Sequence, residues 1–173
     1  MAVKGRGYTK TTWIFEERPV TSSKLNSWDD RIEAALELVH YLLSQAWGGG
    51  DGVLRGATDH DLDTHATDPT SLSVIVEPGY AFIARFAFKL DEAVRTAAVV
   101  APTAHPRIDL VQARLTGWDV IVRTGQETPS PSVPAPDTDC IALAELHLRP
   151  GMTCIKDEND GTNGYVVNAR RFL

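Results

Sequence analysis

A run of three glycines, Gly48-Gly49-Gly50, divides the sequence into two parts that have different hydrophobic periods. Before the glycines, apolar residues recur at spacings of three and four, which is the period of an amphipathic helix. After Val53 the period changes to two, which is typical of β-strands. A glycine run ends a helix because glycine loses more backbone freedom there than any other residue. The sequence therefore predicts an α+β, mainly β protein with one long helix followed by a β body.

The segment before the glycines predicts an oligomerising helix over residues 23–47. Ser27 is the candidate N-cap, because Asp29 and Asp30 in the turn after it would favour the positive end of the helix dipole. The a and d positions of about three heptads are apolar, which is typical of a helix that packs against other helices. These positions are the predicted oligomer interface: Leu25, Trp28, Ile32, Ala35, Val39, Leu42 and Ala46. The alternative is that this face packs on the protein's own β body.

Residues 1–22 predict an extended N-terminal anchoring arm. The run from Thr11 to Phe15 is β-branched and aromatic, and Pro19 disfavours a helix through Arg18. A short apolar strand cannot bury both of its faces alone, so the arm is expected to dock on the body or on a neighbour. Its candidate attachment residues are Trp13, Ile14 and Phe15.

Residues 48–70 predict a Gly/Asp-rich linker, and residues 71–173 predict an antiparallel β domain of the sandwich or barrel type. Gly and Pro turns separate the predicted strands, with no helix between them. Within 80–90, alternation predicts a core face that carries Tyr80, Phe82, Phe86 and Phe88. Four prolines between 128 and 136 predict a stiff, solvated crossing. The predicted strands span 71–76, 80–90, 93–101, 108–115, 118–124 and 140–148.

Composition argues against several classes of function. The 173 residues carry a net charge of −6 without a Lys/Arg cluster, which disfavours nucleic-acid binding. No apolar run approaches the roughly 18 residues of a membrane span, and the N-terminus lacks the apolar core of a secretory signal. Cys140 and Cys154 form no CxxC pair, so free thiols and synthesis in a reducing cytoplasm are expected.

The most metal-like segment runs from Asp59 to Asp68. His60, Asp61, Asp63 and His65 are ligand types for hydrolytic metals, so a metal-dependent hydrolase is one hypothesis. However, all these candidates lie within ten residues, and no second cluster is placed to complete a metal shell. A solvated loop with turn-forming aspartates explains the segment equally well. We therefore expect no metal, no cofactor and no enzymatic activity.

Two stretches resemble tail-fibre and baseplate proteins of tailed bacteriophages. The first joins Trp13 to Leu25-Asn26 through a small-polar stretch and continues into the helix. The second is similar to a phage β domain in its order of motifs. These are a "PG-x-A" turn at 78–81, "PRIDLV" at 106–111, "LAxAE" near 141–145 and "G-x-T-x-I" at 151–155. Together the two stretches cover most of the chain from Trp13 to Ile155.

The resemblance implies a structural virion protein that is built as a homotrimer. Its parts would be an anchoring arm, a helix bundle and a β head, and its partners would be copies of itself and other tail or baseplate proteins. It would be made in the host bacterial cytoplasm and would function in the virion. The alternative is a carbohydrate-binding module that recognises a host receptor, motivated by four tryptophans and the β body.

Overall fold

A computed structural model of the protein describes residues 21–56 and 59–173. The chain divides into a helical unit that ends at Gly49 and a β unit that begins at Gly50. The predicted arm therefore falls almost wholly outside the described residues, including Trp13, Ile14 and Phe15.

The helical unit contains α1, Ser22–Ala46. Its N-cap is Thr21, whose hydroxyl accepts a hydrogen bond from the Lys24 N–H at 3.3 Å. The prediction that Ser27 caps the helix is therefore wrong, because Thr21 caps it six residues earlier. The predicted end is confirmed, since the N–H of Gly49 donates to the carbonyl of Ser44 at 2.7 Å. In the described part of the chain, no helix combines the length and apolar character needed to cross a membrane.

The β unit is built from short strands, which confirms a mainly β protein with one helix in the described residues. In chain order the strands are β1 Gly52–Leu54, β2 Thr64–Ala66, β3 Val74–Val76, β4 Gly79–Ile83, β5 Phe86–Leu90, β6 Val94–Arg95, β7 Arg107–Arg114, β8 Asp119–Arg123, β9 Cys140–Leu148, β10 Ile155–Lys156 and β11 Gly164–Asn168.

Three sheets share one core. Their strand orders are β1-β4-β5, β2-β3-β6 and β10-β11-β9-β7-β8. Every pairing of these strands is antiparallel except β10–β11, which is parallel. Fully buried side chains from each sheet pack together, among them Val53, Val76 and Leu143. The antiparallel prediction is thus confirmed for the main pairings and wrong for β10–β11.

The segment 48–70 is part of the β unit and not a linker. It contributes β1 and β2, and the side chains of Val53 and Leu62 are fully buried. The C-terminal residues help to hold it, because Phe172 forms a parallel bridge with Val53. Strands of three residues are too short to show a period of their own. β1 pairs with β4, about 30 residues away, and β2 pairs with β3, about 10 residues away. The local sequence pattern therefore did not reveal these strands, and it predicted a linker instead.

Residues 80–90 form the hairpin β4–β5 instead of one strand. Its two-residue turn, Ala84-Arg85, has φ angles of 49° and 74°, although neither residue is Gly or Asn. Because the turn pairs Ile83 with Phe86, it shifts the alternation by one residue. Phe88 consequently shares a buried face with Ala81 and Ile83, and Phe82 is buried on the opposite face. Tyr80 is exposed, and so is Phe86, which lies beside the turn. The predicted core face was correct for two of its four members.

The remainder of the body follows the prediction more closely. The hairpin of β7 and β8 and the long strand β9 are confirmed, and both cysteines are free and half-buried. The strand predicted over 93–101 shrinks to β6, and residues 96–101 belong to no strand. The Pro-rich crossing contains no strand, as predicted. It is anchored across β7, because Gln112 exchanges hydrogen bonds with the side chain and the N–H of Asp137.

Candidate functional site

One face of α1 exposes large apolar side chains. They belong to Leu25, Trp28, Leu36, Val39, Leu42 and Leu43, and we call them the α1 apolar face. With 3.6 residues per turn, these positions fall within an arc of about 120°. Leu42 is the most exposed at 58% and Trp28 the least at 40%. An arc of this width is the size of a face that packs against another helix.

The α1 apolar face includes most of the predicted heptad positions. Leu25, Trp28, Val39, Leu42 and Ala46 are exposed, whereas Ile32 and Ala35 are half-buried. The structure brings the seven positions to one side of a continuous helix, as the spacing predicted. Whether this face binds other copies stays a prediction.

The four candidate metal ligands of the 59–68 segment do not converge. Arg170, whose side chain is 5% exposed, forms an ion pair with Asp63 at 2.7 Å and donates to the carbonyls of Asp59 and Asp61. The Asp61 carboxylate accepts the N–H of Gly56 at 2.8 Å. His60 lies 3.6 Å from Asp63 and is mostly exposed. Within the described residues, no three His, Cys, Asp or Glu side chains form a group that could hold a metal ion.

His65 is held by two acceptors. Its Nδ1 lies 2.8 Å from the carbonyl oxygen of Ala66, and its Nε2 lies 2.8 Å from Glu77 Oε1. A neutral imidazole can donate from only one nitrogen, so the protonated ring satisfies this geometry best. The hydrogen bond to Glu77 accordingly raises the pKa of His65. With Asp157 accepting the N–H of Ala66, the segment is a tied part of the fold and not the solvated loop that was expected.

The turn between β7 and β8 presents an exposed indole. Trp118 has a φ of 50° and is 57% exposed, and its ring stacks on the buried Phe88 ring with centroids 5.9 Å apart. Arg114 and Asp119 form an ion pair at the base of the same turn. A bulky residue in left-handed backbone is uncommon, since the conformation costs about 1–2 kcal/mol.

A groove runs between β8 and the segment Thr96–Val100, and we call it the β8 groove. Its volume is about 450 Å³. Most of its lining is apolar, including Val99, Val120 and Val122. Its polar side chains include Arg107 and Asp109, which pair with each other. The groove thus combines an apolar lining with the outer edge of a sheet.

The Arg107–Asp109 pair is the most deeply buried ion pair of the described residues. Two guanidinium nitrogens of Arg107 donate to the two Asp109 oxygens at 2.7 and 2.9 Å, and the N–H of Gly125 donates to Oδ1 at 2.9 Å. Gly125 has no room for a side chain, because a Cβ would overlap the carbonyl oxygen of Ile108. The pair also fixes the groove wall, since Arg107 donates to the carbonyl of Val100 at 2.8 Å.

A second carboxylate orders the loop before β7. Glu127 Oε1 accepts the backbone N–H groups of Thr103, Ala104 and His105. These donors stabilise the charged form and lower the pKa of Glu127 to about 2.

Comparison with protein-family models, with curated proteins and with solved structures returned no match for the chain. Sequence reasoning missed the β8 groove and the role of Arg170. The groove arises where residues 96–100 approach 120–124, a contact that no local pattern encodes. No local signal marked Arg170, because its partner Asp63 lies more than a hundred positions away in the sequence.

Proposed function

We propose that the chain is a structural subunit of a tailed-phage virion, of the tail-fibre or baseplate type. It self-associates through the α1 apolar face, as a homotrimer, and attaches to neighbouring tail proteins. It is made in the host bacterial cytoplasm and functions in the particle. The phage assignment is supported by the order of motifs between Trp13 and Ile155. We also propose that the three sheets close into a sandwich or barrel.

The α1 apolar face is the observation that carries the self-association. Burying the exposed half of a Leu or Val side chain contributes about 1 kcal/mol. The five Leu and Val side chains, with Trp28 counted at the same value, therefore contribute about 6 kcal/mol per chain, and a trimer would bury three such sets. The gain of about 6 kcal/mol per chain is comparable to the cost of about 4–15 kcal/mol for the translational and rotational freedom that is lost on association. A face of this size is consistent with an interface and is uncommon on a monomer.

The proposed role is geometric and includes no catalysis and no cofactor. The ligand types that suggested hydrolytic chemistry are engaged with Arg170, Glu77 and backbone groups, which supports this reading. Elemental analysis of purified protein tests it, since stoichiometric zinc, calcium or manganese would favour the hydrolase hypothesis.

The mass of the protein in solution tests self-association. We expect about three times the 18.9 kDa chain by light scattering. The double substitution Val39→Asp and Leu42→Asp should give a folded monomer, because it buries unpaired charge in any helix interface. The double substitution Asn26→Asp and Gln45→Asp is the matched control, since it adds the same charge at exposed sites outside the face. A wild-type monomer at high micromolar concentration, or an unchanged mass in the double variant, contradicts the proposal.

Incorporation into particles tests the virion assignment. We expect the full chain in purified particles. A chain lacking residues 1–20 keeps Thr21, the N-cap of α1, and we expect it to fold and self-associate but to be absent from the particles. Normal incorporation of the truncated chain would place attachment in the β body. Absence of the full chain from particles contradicts the virion role.

A carbohydrate-binding role is the second candidate, and Trp118 favours it. An indole with one face on Phe88 and an exposed outer face, beside an Arg–Asp pair, suits the apolar face of a sugar ring. Binding to a glycan array tests this candidate. Trp118→Ala should abolish the binding and Trp118→Phe should reduce it, whereas an array without any bound sugar removes the candidate.

A further inference from the structure

The β8 groove is bordered on one side by the unpaired edge of β8 and on the other by the segment Thr96–Val100, part of whose backbone is already paired. β8 is the terminal strand of the five-stranded sheet, and in the described part of the chain it pairs only with β7. Opposite it, two N–H groups of the segment Thr96–Val100, those of Thr96 and Val99, donate to backbone carbonyls of residues 72–74. An edge strand with unpaired groups is a template for another strand.

The sequence of β8 makes an unprotected edge costly. Asp119-Val-Ile-Val-Arg123 places three consecutive β-branched residues on this edge, and all five residues are only half-buried. Native proteins protect such edges with charge, proline, a bulge or a covering segment. Between its two charged ends β8 carries no charge, no proline and no bulge, so a covering segment is the remaining way to protect this edge.

The groove selects an uncharged, β-forming occupant. The Arg107–Asp109 pair is internally neutralised, and Val99, Val120 and Val122 leave no charge for a partner to match. Thr11-Thr-Trp-Ile-Phe15 carries no charge and has high β-propensity. It has five residues, the length of β8, which corresponds to about 17 Å when extended. Residues 16–20 join it to Thr21 and can reach about 3.3 Å per residue.

We propose that Thr11–Phe15 of a second copy of the chain adds to β8 as a strand and places side chains in the β8 groove. Copies would then be joined by exchanged strands as well as by helices. The inference rests on the self-association proposed above, because associated copies bring the arm of one chain near the body of another.

Disulfide trapping in full-length protein tests the exchange, with Cys140 and Cys154 replaced by serine. One variant carries Trp13→Cys in the arm and a size tag; the other carries Val100→Cys at the groove rim, a position that is 76% exposed. Mild oxidation of the mixture should give a disulfide-linked pair of the two variants as the main product. The matched control carries Ser130→Cys, in the exposed Pro-rich crossing, in place of Val100→Cys. It should give at least tenfold less of the mixed disulfide.

Two further variants keep the result decisive. Adding Ile14→Pro to the arm should lower the yield at least tenfold, because proline removes an N–H that strand pairing uses. A chain carrying both cysteines should link between chains and not within one chain when diluted. An absent mixed product, an intrachain bond, or equal yield from Ser130→Cys overturns the inference. If the protein has the mass of an oligomer in solution but gives no mixed disulfide, strand exchange alone is overturned. If it has the mass of a monomer, the proposed self-association is overturned too.

Discussion

Replacing Asp109 with alanine should cost far more stability than replacing an equally well-paired but exposed aspartate. Asp109 is 1% exposed and Arg107 11%, so the variant leaves a buried guanidinium without its partner. It also leaves the N–H of Gly125 without its acceptor. Breaking a buried pair costs about 3–5 kcal/mol. That is a large part of the roughly 5–15 kcal/mol by which a domain is stable.

Asp119→Ala is the matched control. Asp119 pairs with Arg114 in the same two-pronged geometry, but the two side chains are 41% and 40% exposed. An exposed pair contributes about 0.2–1 kcal/mol. Urea unfolding of the wild type and both variants measures the two losses, with an unchanged slope showing that the unfolded state is comparable. Equal losses in the two variants would refute the reasoning that burial sets the cost.

Three further predictions concern other ties in the fold. His65→Gln should remove part of the pH dependence of stability. Because Glu77 raises the pKa of His65 in the folded state, the His65–Glu77 pair stabilises the wild type fully below about pH 6.5, and this stabilisation is lost as pH rises through the folded pKa. For so exposed a pair, urea titrations should show a loss of about 0.2–1 kcal/mol. Gly79→Ala should cost about 3 kcal/mol of unfolding free energy, because its Cβ would lie 2.6 Å from the backbone nitrogen of residue 62. Gly161→Ala, with φ of 81° and open space, should cost only about 1 kcal/mol, and equal melting shifts would contradict the steric argument. Glu127→Gln should speed amide exchange at residues 103–105 and nowhere else, and the wild type should lose the same protection as pH falls from 4.5 to about 2; unchanged exchange would show that the carboxylate does not order the loop.

The sequence predicted correctly those turns and helix ends that are determined by residues at the turn or helix end itself. The end of α1 was found because Gly48–Gly50 take up positive φ angles, which glycine adopts without strain. The β7–β8 turn was found because Thr116-Gly117 is a turn-type pair, although the left-handed residue there is Trp118. The β4–β5 turn was missed because Ala84-Arg85 takes up a left-handed conformation that neither residue prefers, so no turn residue marked it. The tertiary structure imposes that turn, and the sequence pattern cannot show it.

The candidate sites divide in the same way. The α1 apolar face could be predicted, because side chains three and four apart on a helix share a side whatever surrounds them. The engagement of Asp63 could not, since its partner Arg170 is more than a hundred positions away and is brought near only by the complete fold. The β8 groove likewise depends on two segments that meet only in the finished body.

The bridge between Val53 and Phe172 has a consequence for how the protein is made. The Val53 N–H donates to the carbonyl of Arg171 at 2.8 Å, and the Leu173 N–H donates to the carbonyl of Val53 at 3.0 Å. A ribosome that adds ~5–20 residues per second needs roughly 6 to 24 s to travel from one partner to the other. During that interval β1 has one of its two edges open, and the body waits for its final residues. β1, which leaves the ribosome before the other strands of the β unit, is therefore among the last of them to be completed.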